Sequence, residues 1–195
     1  MKLDAEASDT TLARLAAAGD DQAFNLLVRR HKESLYRLLR RYTGDADEAY
    51  EAVHEAFIAA WGALRRYDPE RSFGAWLRTI AINKARDRGR RMAVRRMIFG
   101  VQSLEDSPAM EAFDPATAAD DLVILDQRAR RLGKAVAKLS DSLKAPLLLT
   151  AFEGYSQQEA GEILGLSTKT IETRVYRARK ILAAQLGDDM RPSKG

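Results

Sequence analysis

Residues Tyr155–Leu182, YSQQEAGEILGLSTKTIETRVYRARKIL, predict two short helices joined by a tight turn. Ser156 and Glu159 have the spacing of a capping box, in which each side chain accepts a hydrogen bond from the other residue's backbone N–H at the start of a helix. Gly165 is expected to end this first helix, and Ser167 to cap the second one. The stretch therefore predicts a helix-turn-helix.

The second predicted helix has one apolar and one basic side. Its apolar residues recur at helical spacing and are expected in the core: Ile171, Val175, Ala178 and Leu182. The basic residues are Lys169, Arg174, Arg177, Arg179 and Lys180. A helix-turn-helix places its second helix in the DNA major groove, where arginine pairs with guanine edges and phosphates. The pattern predicts a DNA-binding surface; a merely solvated charged face is the alternative.

Composition limits the classes of function. The chain has 195 residues, of which 46% are hydrophobic and 31% charged, and its net charge is +4. These values are typical of one or two compact soluble domains. The absence of cysteine excludes disulfides and thiol chemistry. Two histidines, His31 and His54, are too few for a zinc site, and both are expected at a surface or interface. No cofactor is predicted.

Several sequence signals are missing. No apolar run approaches the roughly 18 residues of a membrane span, and the N-terminus is acidic, unlike a signal peptide. We therefore expect a cytoplasmic protein without membrane insertion. No phosphate-binding loop, metal-ligand spacing or assembled nucleophile, base and orienting acid is present. We expect neither an enzyme nor a small-molecule substrate.

Helical periodicity runs from Thr11 to about Arg96. Gly44 is expected to end a long helix, and Asp45 or Asp47 can cap the next one. The core residues expected from this spacing are Leu12, Leu15, Phe24, Leu27, Val28, Leu35, Leu38, Leu39, Tyr42, Val53, Phe57, Ala60, Trp61, Leu64, Phe73, Trp76, Leu77, Ile80 and Ala81. The aromatic residues among them are therefore expected to pack in the core rather than to stack on nucleic-acid bases.

A basic tract follows the helix that Ser72 is expected to begin. The tract contains Lys84, Arg86, Arg88, Arg90, Arg91, Arg95 and Arg96. Only Asp87 is expected to offset these seven cations. Uneven basic charge of this kind indicates a partner that carries phosphates.

The composition changes over residues 101–121, which contain six acidic residues, Pro108 and Pro115, but no lysine or arginine. The segment predicts a tether, because it cannot bury enough apolar surface to offset the entropy lost on ordering. It is either a plain solvated linker or a negative strand that threads through a positive channel of a partner. Helical pattern resumes near Leu122, and Pro146 is expected to bend or shorten the helix that contains it.

These patterns predict an all-α fold with two small helical domains joined by an acidic flexible linker. The expected first domain spans residues 10–96 and the linker spans residues 97–126. The helix-turn-helix domain is expected at residues 127–187, followed by a flexible tail at residues 188–195. No alternating strand pattern or internal repeat appears.

Separated stretches of the chain carry a family likeness, at family spacing and in family order. They are Gly19–Leu27, Leu35–Asp45, Val53–Trp61 (compared with V-Q-E-x-F-x-x-A-W), Phe73–Asn83 (compared with F-x-x-W-L-x-x-I-A-x-N), Glu153–Ala160 and Thr173–Arg179. The chain resembles the extracytoplasmic-function (ECF) sigma factors of bacterial RNA polymerase over about residues 10 to 187, except in the tether. This resemblance implies a minus-ten domain, a minus-thirty-five domain and no chemistry of its own.

The resemblance implies that the first domain captures a flipped minus-ten base. Asn83 stands where the family often uses an asparagine in the base pocket. Its amide offers donors and an acceptor to a base edge, or alternatively caps nearby backbone. The residues expected to contact the phosphate backbone are Lys84, Arg86, Arg88 and Arg91.

The resemblance further implies docking of the first domain on the β′ clamp helices of core RNA polymerase. Glu51 and Glu55 fall where the family meets clamp arginines, and exposed carboxylates there would steer the encounter. His54 replaces the common glutamine, and Ala52 the common leucine. His54 either makes polymerase binding pH-sensitive or is an ordinary exposed histidine.

The second domain is implied to contact minus-thirty-five DNA and the polymerase β flap. The residues expected to face DNA are Ser167, Lys169, Thr170, Thr173, Arg174, Tyr176 and Arg177. Tyr176 either touches a base or sugar or packs beside the first helix of the motif. Glu172 stands where many relatives carry a basic residue. Its carboxylate could accept from cytosine N4 or pair with a neighbouring cation.

An anti-sigma factor that wedges between or clamps the two domains is a further implied partner, and it could hold the protein at the inner membrane. Two other functions compete. A regulator that binds duplex DNA alone would have a sensing N-terminal domain, which has no need of the Asn83 helix and its basic tract. A recombinase with an appended helix-turn-helix would need catalytic groups that the sequence does not assemble.

Overall fold

The computed structural model describes residues 7–99 and 120–187, and every regular element within these ranges is helical. The helices are α1 (Asp9–Ala17), α2 (Asp21–Thr43), α3 (Ala46–Ala63), α4 (Phe73–Phe99), α5 (Asp120–Lys138), α6 (Asp141–Ala151), α7 (Gln157–Leu164) and α8 (Thr168–Leu186), with a short 3-10 helix at Leu64–Arg66. The all-α fold class is confirmed. Helices α1 to α4 form a first unit, and α5 to α8 form a second.

Side chains and a glycine fix the ends of α2 and α3. The Asp20 carboxylate accepts two backbone N–H hydrogen bonds, at 2.9 and 3.0 Å, in the first turn of α2. Gly44 ends this helix as predicted, with a φ of 80° that glycine adopts without steric cost. Asp45, rather than Asp47, caps α3 by accepting a backbone N–H at 2.8 Å. The first unit is thus a set of helices joined by short, capped connections.

Alanine forms most of the face of α3 that enters the core. The buried residues of this helix are Ala49, Ala52, Ala56, Phe57 and Ala60. Their small side chains let α3 lie close to α2 and α4, its main neighbours. The stripe is narrow and leaves Trp61 40% exposed, so the predicted core position of Trp61 is wrong. Phe73 is buried as predicted, and Trp76 is partly buried against it, with ring centroids 5.6 Å apart.

His31 joins three helices of the first unit. Its Nε2 lies 2.6 Å from Oδ2 of Asp9 on α1, and its ring centroid lies 5.3 Å from that of Phe73 on α4. Burial opposes the charged Asp9 carboxylate, but hydrogen bonds with Arg30 and His31 outweigh it and lower the pKa of Asp9. The His31 side chain is only 15% exposed. Of the two expected positions of His31, a surface or an interface, the structure excludes the exposed surface, because the ring is hydrogen-bonded where α1, α2 and α4 meet.

Pro146 lies within α6, which nevertheless continues to Ala151. The helix is therefore not shortened, and the other expectation, a bend, stays a prediction. Residues 144–149 are buried, so tertiary packing compensates for the single hydrogen bond that proline cannot donate. The hydroxyl of Thr150 donates a further hydrogen bond to the Pro146 carbonyl at 2.9 Å.

The predicted linker, residues 97–126, overlaps helix at both ends, because α4 continues to Phe99 and α5 begins at Asp120. Acidic residues are favourable in the first turn of a helix, where they oppose the positive end of its dipole. The acidic residues at the start of α5 were therefore predicted, from composition alone, to belong to the tether. Residues 100–119 and 188–195 lie outside the described chain, so the tether and the tail stay predictions.

The helix-turn-helix has the predicted local structure. The Glu159 N–H donates to Ser156 Oγ at 3.2 Å, and the Ser156 N–H donates to Glu159 Oε2 at 2.8 Å, which completes the capping box. Gly165 ends α7 with a φ of 65°, and Ser167 caps α8. The predicted apolar face of α8 is buried, with no residue more than 8% exposed: Ile171, Val175, Ala178 and Leu182.

The two units pack against each other. Helix α4 lies against α7, and α2 lies against α5 and α6. The helix-turn-helix of the second unit is thereby held beside the helix that carries the basic tract of the first.

Gly161→Ala tests the closure of the turn between α7 and α8. A Cβ at Gly161 would lie 2.6 Å from the carbonyl oxygen of Leu166, whose N–H donates to the Gly161 carbonyl at 2.9 Å. We expect the free energy of unfolding to fall by about 1–3 kcal/mol, as is usual for overpacking. Urea denaturation followed by circular dichroism measures this change.

Gly133→Ala on α5 is the matched control, because a Cβ there would meet no atom within 4 Å. This variant should be neutral or more stable by up to about 1 kcal/mol, since alanine restricts the unfolded chain. Equal destabilisation by the two substitutions would show that the close approach at Gly161 is not what the turn requires.

Candidate nucleic-acid interface

Helix α4 changes environment along its length. Phe73, Leu77 and Ile82 in its first half are at most 2% exposed, whereas Met97 near its end is 89% exposed. Asn83 lies at the transition and is exposed. Among the described residues none is hydrogen-bonded to its amide, so the alternative that Asn83 caps nearby backbone has no support. The buried turns before it fix the position of its backbone on the surface.

An ion pair that involves one cation of the basic tract links two predicted sites. Arg88 Nη1 lies 3.0 Å from Glu55 Oε1, and both side chains are about 30% exposed. The expectation that only Asp87 offsets the basic tract is therefore wrong, because α3 supplies a second carboxylate from across the helix pair. Asp87 itself pairs with Arg90. Glu55, expected to face polymerase, and Arg88, expected to face DNA, neutralise each other in this structure.

The remaining predicted phosphate contacts differ in their surroundings. Arg91 is exposed, whereas Lys84 and Arg86 are half-buried. Arg86 lies beside the Tyr42 hydroxyl, whose pKa is raised by burial and by the Asp141 carboxylate even though Arg86 acts in the opposite direction. Arg91 thus presents its charge to solvent most fully, and Arg86 is partly engaged at the junction of the two units.

Helix α8 presents a second candidate surface. Lys169, Tyr176 and Arg177 are exposed on the side opposite its buried apolar face, and Arg174 is half-buried beside them. This arrangement matches the one expected for a recognition helix, with cations and an aromatic ring directed away from the core.

The hydroxyls at the start of α8 serve its own backbone. Ser167 Oγ accepts from the Thr170 N–H at 3.2 Å and lies 2.8 Å from Thr170 Oγ1. The Thr173 hydroxyl donates to the Lys169 carbonyl at 2.9 Å. Ser167 therefore positions the helix, whatever further contact its hydroxyl makes with a phosphate.

Tyr176 and Glu172 show which of their alternatives the folded chain adopts. Tyr176 is 68% exposed, so it does not pack beside α7. Glu172 is also exposed, and no ion pair within the described ranges involves its carboxylate. Both side chains are exposed to solvent on α8, where they are open to contacts with a partner.

The residues expected to meet polymerase lie on α3. Glu51 and His54 are exposed, and Glu55 is half-buried against Arg88. Next to them, an open groove of about 850 Å³ runs between α2 and α3. Its lining is mostly apolar and aromatic, from Phe24, Val28, Tyr36, Tyr50, Val53, Phe57, Ile58 and Trp61, and it also includes Asp21, Asn25, Lys32, Glu33 and His54.

Sequence reasoning missed this groove. Tyr50 and Ile58 are each 64% exposed, and with Trp61 they form a second apolar set on α3. Their spacing of eight and three residues was a usable signal, because it places them on one helix face, away from the alanine stripe. Trp61 was predicted as a core residue, and Tyr50 and Ile58 were given no role.

Within the described ranges, no group of histidine and acidic side chains could hold a metal ion. Over the same residues, no helix is long and apolar enough to cross a membrane. The candidate sites are accordingly surfaces built from cations, amides and aromatic rings.

Comparison with known proteins matches each unit to a family. The Sigma-70 region 2 family matches residues 27–95, which contain Asn83 and the basic tract as far as Arg95. The family described as Sigma-70, region 4 matches residues 129–182, which contain the helix-turn-helix.

Curated relatives match nearly the whole chain. The RNA polymerase sigma factor CnrH of Cupriavidus metallidurans is 37% identical over 185 residues, covering 94% of this chain and 97% of the relative. The ECF RNA polymerase sigma factor SigW of Bacillus subtilis is 30% identical, covering 87% of this chain and 92% of the relative.

Solved structures share the fold. CnrH in complex with the cytosolic domain of CnrY aligns with a TM-score of 0.64 at 32% identity, covering 95% of this chain and 99% of that one. The sigma factor RpoE of Bartonella quintana, in complex with the anti-sigma factor NepR, aligns with a TM-score of 0.66 at 24% identity, covering 85% and 98%. The chain belongs to the extracytoplasmic-function sigma factors of bacterial RNA polymerase.

Proposed function

We propose that this chain is a dissociable specificity subunit that binds core RNA polymerase, recognises minus-thirty-five and minus-ten promoter elements, and initiates transcription. The observation that carries the proposal is the presence of two separate exposed surfaces with polar and basic side chains on one chain. One surface surrounds Asn83 on α4, and the other is the exposed basic side of α8. A regulator of duplex DNA needs only the second surface.

The Asn83 surface suits a base removed from the duplex. Unstacking a base costs a few kcal/mol, which a receiving site must offset with hydrogen bonds or stacking. The Asn83 amide is exposed on a helix whose preceding turns are buried, so its backbone is already placed before a base binds. Arg91 and Lys84 lie within about two helical turns of it and would hold the phosphates on either side.

The α8 surface suits duplex DNA. Arg174 and Arg177 are three residues apart on one side of the helix, a spacing that lets both enter the major groove together. Lys169 near the helix start would contact phosphate. Glu172 makes no contact that would turn it away from this surface, so we propose that it restricts the promoter sequence by accepting from a cytosine N4 amino group.

The groove between α2 and α3 suits a helical partner. Its apolar lining on α3 belongs to the same helix as the exposed Glu51 carboxylate, which would steer an arginine-bearing surface. We assign this surface to the β′ clamp helices of core polymerase, and a face of the second unit to the β flap. Ile58 and Trp61 then supply most of the apolar contact.

The remaining elements of the proposal concern regulation and place of action. Relatives with this fold have been solved with an anti-sigma factor or with the cytosolic domain of a partner. We propose that an anti-sigma factor holds this chain inactive in the bacterial cytoplasm, in some conditions at the inner membrane. The chain itself performs no catalysis, since polymerase supplies the chemistry of transcription.

Run-off transcription with core polymerase from a related bacterium tests the proposal. Core with this protein should produce transcripts from promoters that core alone does not use. If the protein never redirects core to any promoter, yet shifts duplex DNA unaided, the regulator hypothesis replaces the proposed function.

Asn83→Ala should impair promoter melting while leaving polymerase association near normal. Losing the hydrogen bonds to one base edge corresponds to about 1–3 kcal/mol, or about 5- to 150-fold in the yield of competitor-resistant complexes. Fluorescence titration with labelled core measures association separately. Gln127→Ala, which removes an exposed amide on α5, is the control and should change neither quantity. Loss of core binding in Asn83→Ala would mean that Asn83 is structural.

Arg174→Ala and Arg177→Ala should each weaken the use of promoters that carry a minus-thirty-five element, by about 5- to 100-fold. If the lost arginine contacts the DNA backbone, each variant should also make the slope of log affinity against log salt concentration less negative. The change should correspond to about one phosphate contact. Lys138→Ala removes an exposed cation outside α8 and is the matched control. Unchanged promoter use in both arginine variants would remove these residues from the DNA-facing surface.

A further inference from the structure

One acidic side chain lies on the surface that the proposed function assigns to minus-ten DNA. Asp87 follows Asn83 by four residues on α4, and residues four apart lie on the same side of a helix. The Asp87 side chain is 44% exposed, and together with Arg91 it lines one shallow depression along α4. Asp87 is therefore within reach of a nucleic acid that contacts Asn83 and Arg91.

The neighbours of Asp87 keep its carboxylate ionised. Arg90 Nη2 donates to Asp87 Oδ1, about one turn along the helix. This hydrogen bond is the main cause that holds the pKa of Asp87 below its ordinary value, and nearby positive charges act in the same direction. An ionised carboxylate accepts hydrogen bonds and donates none. At neutral pH Asp87 can thus pair only with a group that carries a hydrogen-bond donor.

The ion pair leaves part of the Asp87 carboxylate open. Arg90 donates to Oδ1, and no group in the described part of the chain donates to Oδ2. The Arg90 side chain is more exposed than that of Asp87, so the pair contributes little to stability. Arg90 therefore holds the carboxylate at one oxygen, and the other oxygen is free to accept a further hydrogen bond.

A carboxylate weakens the attraction of a basic surface for phosphates, so a favourable contact of Asp87 with DNA has to be made with a base. An α-helix fits the major groove, where cytosine N4 and adenine N6 are the amino donors. Thymine and guanine carry keto oxygens at the equivalent positions, and these oxygens repel a carboxylate. The chemistry of Asp87 thus favours an exocyclic amino group and opposes a keto group.

We infer that Asp87 selects a base near the one at Asn83 by accepting a hydrogen bond from an exocyclic amino group, and that Arg90 is its positioning residue. The inference rests on the proposed function, because only a protein that reads minus-ten DNA has a base to select. Four residues of helix rise by about 6 Å, and bases are about 3.4 Å apart along a strand. The selected base therefore lies one or two positions from the base at Asn83.

Base preference in the minus-ten element tests the inference. Promoters carry each of the four bases at the positions beside the one that Asn83→Ala affects, and the yield of competitor-resistant complexes is measured with saturating core polymerase. The parent protein should prefer cytosine or adenine by about fivefold or more at one position. Asp87→Ala should reduce this preference to less than about twofold there and leave the other positions unchanged.

Base analogues locate the contact at the amino group. In pyrimidinone and unsubstituted purine, hydrogen replaces the amino group of cytosine and adenine. The analogue of the preferred base should weaken the parent complex as much as Asp87→Ala does, and it should cause no further loss in that variant. Asp87→Asn keeps an oxygen acceptor but adds a donor, so this variant should also tolerate thymine or guanine at the selected position.

Variants of Arg90 and a control separate base selection from a general effect of charge. Arg90→Ala should lower the same preference in part, and Arg90→Lys should retain it, because a donor at this place still holds the carboxylate. Glu162→Ala removes an exposed carboxylate from the second unit and should leave every minus-ten base preference unchanged. Circular dichroism shows whether each variant is folded. If Asp87→Ala unfolds the chain, Asp87→Asn and the analogues with the parent protein give the result.

The outcomes distinguish this inference from the proposed function. An equal change for all four bases in Asp87→Ala would overturn the inference, because it would show that Asp87 only offsets positive charge. A parent protein that produces run-off transcripts but prefers no amino-bearing base at these positions would also overturn it and leave the proposed function intact. If the parent protein with core transcribes no promoter, the proposed function fails, and the role given to Asp87 fails with it.

Discussion

Burial of the first half of α4 is the constraint on which the rest of the structure depends. This one helix faces three directions. Leu77 and Ile82 enter the core of the first unit, Arg78 and Thr79 contact the second unit, and Asn83 faces solvent. Because a helix fixes the angles between its residues, packing of its apolar side also sets the positions of the side that contacts the second unit and of the side that carries Asn83.

Charge pairing decides which cations are available to a partner. A basic tract looks uniform in sequence, yet Arg88 is neutralised by Glu55 and Arg86 is partly enclosed beside Tyr42. Arg78, which precedes the tract on α4, is buried in an ion pair with Glu153. The positive surface left to bind phosphate is therefore smaller and better defined than the composition suggests, and it lies around Arg91 and the exposed side of α8.

Local signals made much of the fold predictable. The capping box at Ser156 and Glu159, the glycine ends of helices and the apolar face of α8 depend only on neighbouring residues, and all of them appear as predicted. Family resemblance supplied the family and the two domains. The core position assigned to Trp61 was wrong because it depends on packing partners far along the chain.

The junction between the units shows the same limit more strongly. Arg78 and Glu153 are 75 residues apart, and no periodicity or motif spacing links them. The groove between α2 and α3 also arises from pairing of helices, although the spacing of Tyr50, Ile58 and Trp61 hinted at a second apolar face. Contacts of this kind become visible only when the helices have been placed in three dimensions.

Permanganate footprinting of a promoter tests the central claim most directly, because permanganate oxidises thymines that have lost their stacking. With core polymerase and this protein together, we predict reactive thymines confined to the minus-ten element and protection of the minus-thirty-five element, neither of which appears with core or protein alone. Protection of duplex DNA by the protein alone, with no reactive thymine when core is added, would contradict the account.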